Sequence, residues 1–530
     1  MIVPLTPLDF EQRAVRLFGG HVAIVDGDRR FTYRAYGERV SRLANALRAL
    51  DLKAGERVAF LALNCHQLLE AYYGVVAAGA VLLPLNLRLS PPELVYILNH
   101  AEARALFVSL ELMPLFRELR SLLRTVRHVV LLEGERPDWL DALDYETLLA
   151  AAATERPRLS VDENAPAELF YTSGSTGPPK GVVMTHRNLY LHALNVQAAL
   201  AYGDSDVVLH AVPFFHVNGW GTPHYLTMVG GRHVMLRRFS PAEFCRLIQE
   251  EKVTRTGGVP AMFNAVLALP NLDDYDFSSL QLVSVGGAPA STTLLAALEK
   301  RFGCTVCSGY GLTETCPVLT VALPTGALRA REDDAARLHR QATTGLPIPG
   351  IDLRVVDDAG AEVPADSATV GEIVVRSNVV MDGYFHDPEA TAQAIVDGWF
   401  HTGDMAVIDA DGYVTIVDRK KDIIISGGEN ISSIEVENVL NAHPAVYECA
   451  VIAVPDAQWG EVPRAFVAVK EHQAVTAEDL LALCRSRLAG FKIPKAIEFR
   501  SSLPKGGTGK IQKNELRQPF WDGMEKQVHG

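Results

Sequence analysis

The strongest constraint on this chain is a texture that returns throughout its first 350 residues: short apolar, β-branched runs separated by stretches with helical spacing. The runs are RVAFLAL from Arg57, ARALFVS from Ala103, RHVVLLE from Arg127, AELFYTS from Ala167, DVVLHAV from Asp206 and LQLVSVG from Leu280. Runs this uniformly apolar do not suit a sheet with one wet face; they read as largely buried parallel strands layered with helices. From about Ile351 the texture changes to hairpin-like pieces, IDLRVVDDAG, GEIVVRS and GYVTIVDR, which favour antiparallel pairing in a smaller β unit ending near Asp418. Beyond it come DIIIS, SSIEVENVL, ECAVIAV, AFVAVK, EDLLALCRSRL and AIEFR, a small α+β domain in which Ser432 and Glu435 have the spacing of a capping box. The expected architecture is α/β: a large N-terminal domain of layered α/β subdomains plus a β subdomain over 1–418, and a small α+β domain over 419–530.

Composition narrows the function. A chain of 530 residues with 48% hydrophobic and 21% charged side chains can bury a large core over two or more domains, which excludes disordered and fibrous classes. The net charge is −13, yet residues 419–530 carry 15 basic and 14 acidic side chains. Lysine is the more telling residue: the first 418 positions hold only Lys53, Lys180, Lys252 and Lys300, and the last 112 hold nine. A lysine-rich segment on an acidic body suits small anions and argues against nucleic acid. Seven scattered cysteines, an odd number, point to reduced thiols and a cytoplasmic location; Cys304 and Cys307 form a lone C-x-x-C and read as buried small residues. The opening MIVPLTPLDFEQR lacks the features of a targeting segment, and the stretch from Ala71 to Leu85 is too short to span a bilayer.

The densest chemical signal is YTSGSTGPPKGVVMTH, Tyr171 to His186, where hydroxyls, three glycines and one lysine leave an apolar strand in a single turn. Backbone N–H groups of such a loop converge on phosphate oxygens, Ser173, Ser175 and Thr176 add donors, and Lys180 adds charge. It is not a Walker A loop, because Lys180 precedes Gly181 and no Gly-Lys-Ser/Thr string exists. In GYGLTET, Glu314 is a natural ligand for Mg²⁺, Thr313 a donor to phosphate and Tyr310 a flat surface for a base. Gly286, Gly287 and Ala288 lack bulk and would let a base slip against backbone. Asp404 in FHTGD, read as a carboxylate in a Gly turn, can accept from two ribose hydroxyls, and Arg419 can reach ribose or phosphate.

These pieces together resemble the adenylate-forming superfamily of acyl-CoA synthetases, peptide-synthetase adenylation domains and beetle luciferases. The resemblance runs in order through YTSGSTGPPKG, PFFHVNGW, GGAPAS, GYGLTET, GWFHTGD, DRKKDIIISGGENISSIEVE and PKGGTGK, and is strongest to medium- and long-chain fatty-acyl-CoA synthetases. It implies ATP and CoA as co-substrates and Mg²⁺ as the metal. Thr172, Ser173, Gly174, Ser175, Thr176, Gly177 and Lys180 would hold the nucleotide with Gly286, Gly287, Ala288, Tyr310, Gly311, Asp404 and Arg419. Glu314 and Thr176 would meet the metal. Lys510, Glu314, Thr313 and His216 would serve catalysis. The same resemblance implies a mobile C-terminal domain that turns about Lys421 between an adenylating pose, with Lys510 at the α-phosphate, and a second pose in which Gly427 and Gly428 line a pantetheine tunnel.

Substrate is read from PFFHVNGW. Peptide-synthetase domains place an Asp there for an α-ammonium group; this run has none, which favours an apolar carboxylic acid. His216 would close over the carboxylate, and Phe215 and Trp220, with Phe214, would wall the acyl end. The expected reaction is ATP-dependent activation of a carboxylic acid, foremost a fatty acid, and its transfer to CoA, giving acyl-CoA, AMP and pyrophosphate. Alternatives are a CoA ligase for a small aryl or thioether acid and a ligase that loads a carrier protein. The partners are small molecules, without nucleic acid or a transmembrane segment, and a homodimer stays open.

Overall fold

A computed structural model of the chain describes residues 3–172, 178–330, 332–427, 429–505 and 511–521. All six apolar runs are strands: Arg57–Leu61, Ala103–Val108, His128–Leu131, Pro166–Thr172, Val207–His210 and Leu282–Val285. Arg57–Leu61, Val81–Pro84, Ala103–Val108 and His128–Leu131 pair in parallel, as do Val207–His210, Arg255–Gly258, Leu282–Val285 and Thr305–Gly311. They belong to two large sheets, of eight and nine strands among the described residues. The Ala71–Leu85 stretch is the end of the helix His66–Ala78, buried along nearly its whole length, and the buried strand Val81–Pro84. Helix and strand alternate here because each strand is apolar on both faces and must be covered on both.

By contacts the chain divides into two units, one of 1–352 with 376–398 and one of 353–375 with 399–530. The second contains antiparallel strands, Trp399–Ile408 with Val414–Arg419 among them, as the change of texture at Ile351 predicts. Its last part is a sheet of Glu429–Ile431, Ile424–Ser426, Gly460–Val469, Val446–Asp456 and Ala496–Phe499, packed with the helices Ser433–Asn441, Ala477–Arg487 and Lys513–Trp521. The predicted capping box is half realised. The Ser432 hydroxyl accepts from the Glu435 N–H at 3.0 Å, but the Glu435 carboxylate turns outward to Lys492 Nζ at 2.7 Å. A full charge 57 positions away competes better for a carboxylate than one backbone N–H does. Among the described residues no helix is long and apolar enough to cross a membrane, and all seven cysteines are free thiols.

Candidate active site

The first unit contains Lys180, Tyr310, Thr313 and Glu314, which the sequence reading expects at the phosphates and the base. Strand Pro166–Thr172 runs antiparallel to Lys180–Thr185 with Thr172 opposite Lys180, so the Gly/Ser/Thr loop joins the ends of a hairpin. Ser173, Gly174, Ser175, Thr176 and Gly177 lie outside the described residues. Lys180 Nζ sits 4.9 Å from the ring centroid of Tyr384, a cation–π contact. Tyr384 belongs to the short strand Gly383–Tyr384, paired with Lys180–Thr185. Its hydroxyl donates to Glu314 Oε1 at 3.0 Å, and the Met381 N–H donates to the Glu314 carbonyl at 2.8 Å. Burial, reinforced by the Glu314 charge, pushes the phenol pKa well above its ordinary value and keeps the donor proton in place. One tyrosine thus orients the carboxylate and carries the lysine. Sequence reasoning missed Tyr384; its only signal was a Gly-Tyr pair outside any periodic run.

Thr313 and Glu314 sit on a single tight turn, Thr313–Thr315, after strand Thr305–Gly311, in which Tyr310 faces Thr320. Gly311 is obligatory there: a Cβ would fall 1.7 Å from the Pro317 carbonyl oxygen, so any side chain would force the turn open. Gly286, Gly287 and Ala288 follow strand Leu282–Val285 directly.

PFFHVNGW adopts an unusual backbone. Val217, Asn218, Gly219, Trp220 and Gly221 all have positive φ, from 41° to 83°, a left-handed turn of five residues. Three of them carry side chains, at a cost of about 1–2 kcal/mol each. Backbone strain of this kind persists only where surrounding packing over-determines it. The Phe214 ring lies where a Cβ of Gly219 would be, at 2.8 Å, and the His192 ring lies 2.6 Å from where a Cβ of Gly221 would be. Phe214 is fully buried, edge-on to Tyr72 and His210, so it belongs to the core and not to an acyl surface, a correction to the sequence reading. Phe215, His216 and Trp220 keep partial exposure. Hypothetical Cβ atoms on Gly257 and Gly286 would meet the Trp220 indole at 3.0 and 3.1 Å, which places Gly286 against this ring.

In the second unit, Asp404 lies inside the ten-residue strand Trp399–Ile408, not in a turn, and pairs in register with Arg419. Its buried carboxylate takes Arg419 Nε at 2.6 Å. The sequence placed both on a ribose; the structure shows that the ladder sets them side by side. Burial, partly offset by Asp422, holds the Lys421 ammonium below the ordinary lysine value. Gly427 has φ +61° and directly follows the strand Ile424–Ser426, which pairs with Glu429–Ile431. Gly428 and Lys510 lie outside the described residues.

Among the described residues no group of three His, Cys, Asp or Glu could cage a metal. The oriented Glu314 carboxylate suits Mg²⁺, which keeps several waters and binds through one or two carboxylates together with substrate phosphates.

The profile of AMP-binding enzymes matches residues 10–385, and that of the AMP-binding enzyme C-terminal domain matches 435–510. The chain is 40% identical over 520 residues to a long-chain-fatty-acid–CoA ligase of Thermus thermophilus, covering 97% of this chain and 95% of that one. It is 39% identical over 509 residues to a feruloyl-CoA synthase of an Amycolatopsis species, covering 96% and 98%. Among solved structures, an anthranilate CoA ligase in complex with anthranoyl-AMP superposes with a TM-score of 0.88 at 29% identity, covering 98% of each chain.

Proposed function

The chain belongs to the AMP-binding enzyme family, and from that premise we propose that it is an acid–thiol ligase that activates a carboxylic acid with ATP and passes the acyl group to CoA. The observation that carries the reading is the chain Lys180–Tyr384–Glu314 beside the phosphate-loop hairpin: a cation and an oriented carboxylate held by one tyrosine. A carboxylate is a poor electrophile. Its oxygen attacks the α-phosphorus of ATP and pyrophosphate leaves; the CoA sulfur then attacks the acyl carbon, AMP leaves and the thiol proton passes to solvent. Lys180 and the loop donors offset charge as two anions meet. Mg²⁺, held by Glu314 and Thr176 with the phosphates, would supply further charge neutralisation. Lys510 would act in the first step only, and the segment 419–530 would turn about Lys421 to bring Gly427 and Gly428 to the thiol.

His216 closes over the carboxylate, and Phe215 and Trp220 bound an apolar acyl end. An aryl acid is the second reading, favoured by the Trp220 indole, which offers a ring a stacking partner. Seven free thiols favour a reducing compartment such as the cytoplasm. The test is acid-dependent exchange of labelled pyrophosphate into ATP, followed by CoA-dependent AMP release over a panel of fatty and aryl acids. Exchange without any acid requirement, or none with every acid, overturns the proposal.

A further inference from the structure

The left-handed turn at 217–221 is held from below by a residue that no motif contains. Glu168 is fully buried in strand Pro166–Thr172, four residues before the phosphate loop. Its two carboxylate oxygens reach two different parts of the acid-binding segment. Oε2 accepts from Asn218 Nδ2 at 3.1 Å, in the middle of the turn, and Oε1 lies 2.7 Å from His224 Nε2, on the helix Thr222–Val229 that continues it. The opposite ends of both partners, Asn218 Oδ1 and His224 Nδ1, are buried without a hydrogen-bond partner among the described residues. Leaving buried polar atoms bare is unfavourable, so each side chain is turned toward Glu168 although its other end goes unpaired. The edges of Tyr72 and Tyr73 close over His224, with ring centroids 5.7 Å away.

We propose that Glu168 is the positioning residue of the acid-binding half of the site, fixing through Asn218 and His224 the strained turn that presents His216 and Trp220. The proposal rests on the acid-activating reading above. Because Glu168 stands on the strand that ends at Thr172, it ties the acid-binding turn to the phosphate-loop hairpin, so the two substrate subsites share one rigid support. Its loss would release the turn toward right-handed backbone, displace His216 and Trp220, and leave the hairpin paired as before.

The experiment compares Glu168→Leu, Glu168→Gln and Asn218→Gly in acid-dependent ATP–pyrophosphate exchange, with far-UV circular dichroism as a check of folding. Glu168→Leu removes both anchors and is expected to raise the KM for the acid at least tenfold while the KM for ATP stays within about twofold. Glu168→Gln keeps an acceptor for Asn218 and, with the proton moved to His224 Nδ1, a donor for Nε2; it is expected to stay within about threefold of the parent. Asn218→Gly tolerates positive φ but cuts the bond to Glu168, and should raise the acid KM without lowering the melting temperature as Glu168→Leu does. It decides the matter should Glu168→Leu fail to fold. Equal rises in both KM values, or an unchanged acid KM in folded Asn218→Gly, would overturn the proposal. Absence of exchange in the parent with every acid would overturn the ligase reading itself.

Discussion

Acidification tests how the left-handed turn at 217–221 is supported. His192 and His210 back this turn, and His186 begins the same helix as His192; all three are buried. Burial holds the imidazole of His186 down to about 4 and those of His192 and His210 down to about 3. The His192 Nε2 accepts from the Val318 N–H at 3.1 Å, a bond that needs the neutral ring. In the unfolded chain each titrates near pH 6.5, so below that pH the unfolded state binds more protons and stability falls as pH falls. At pH 5 each contributes a loss of about 2 kcal/mol, about 6 kcal/mol for the three, with a limiting slope of about 4 kcal/mol per pH unit. His66 acts in the opposite direction: although burial alone would lower its pKa, its hydrogen bond to Asp26 and the nearby Glu146 carboxylate raise it, so its stabilisation is full below pH 6.5 and lost as pH rises through the folded value. His233, 2.9 Å from His210, is likewise held well below its ordinary value by burial, and His100 is lowered too, so the balance is a net loss that is a large share of a typical domain stability of about 5–15 kcal/mol. Melting temperatures at pH 7.5, 6 and 5 should fall by at least about 5 °C over the series, and His210→Asn should flatten part of that fall. Equal melting temperatures at pH 7.5 and 5, or an unaltered slope in the variant, would refute the assignment of these rings as buried and neutral.

Further expectations concern the chemistry. Tyr384→Phe removes the donor to Glu314 and should lower the rate of adenylation about tenfold, measured as pyrophosphate exchange, with a weaker dependence on Mg²⁺. Lys510→Ala should lower adenylation by about a hundredfold or more yet leave thioester formation from supplied acyl-adenylate intact, as stopped-flow assay of the two half-reactions would show. Gly428→Leu should block CoA attack while exchange persists; loss of exchange as well would make this residue structural. Specificity should climb by about fourfold per methylene from acetate to an optimum between about six and sixteen carbons. A kcat/KM maximum at acetate or an amino acid would contradict an apolar acyl end.

What the sequence determined is what covalent spacing carries. Period and apolarity gave all six parallel-sheet strands, because a strand covered on both faces writes its environment into adjacent residues. The GYGLTET turn was legible for the same reason, since it is built from consecutive positions. Packing alone decided the rest. Tyr384 meets Glu314 across 70 positions, and Glu168 meets Asn218 and His224 across 50 and 56. Asp404 and Arg419 face each other only because a strand register aligns them, Glu435 forsakes its own helix for Lys492, and Phe214 turns inward while Phe215 does not. Hydrogen bonds and ion pairs act over a few ångströms, and which residues come that close is set by how sheets and helices stack, not by their separation along the chain.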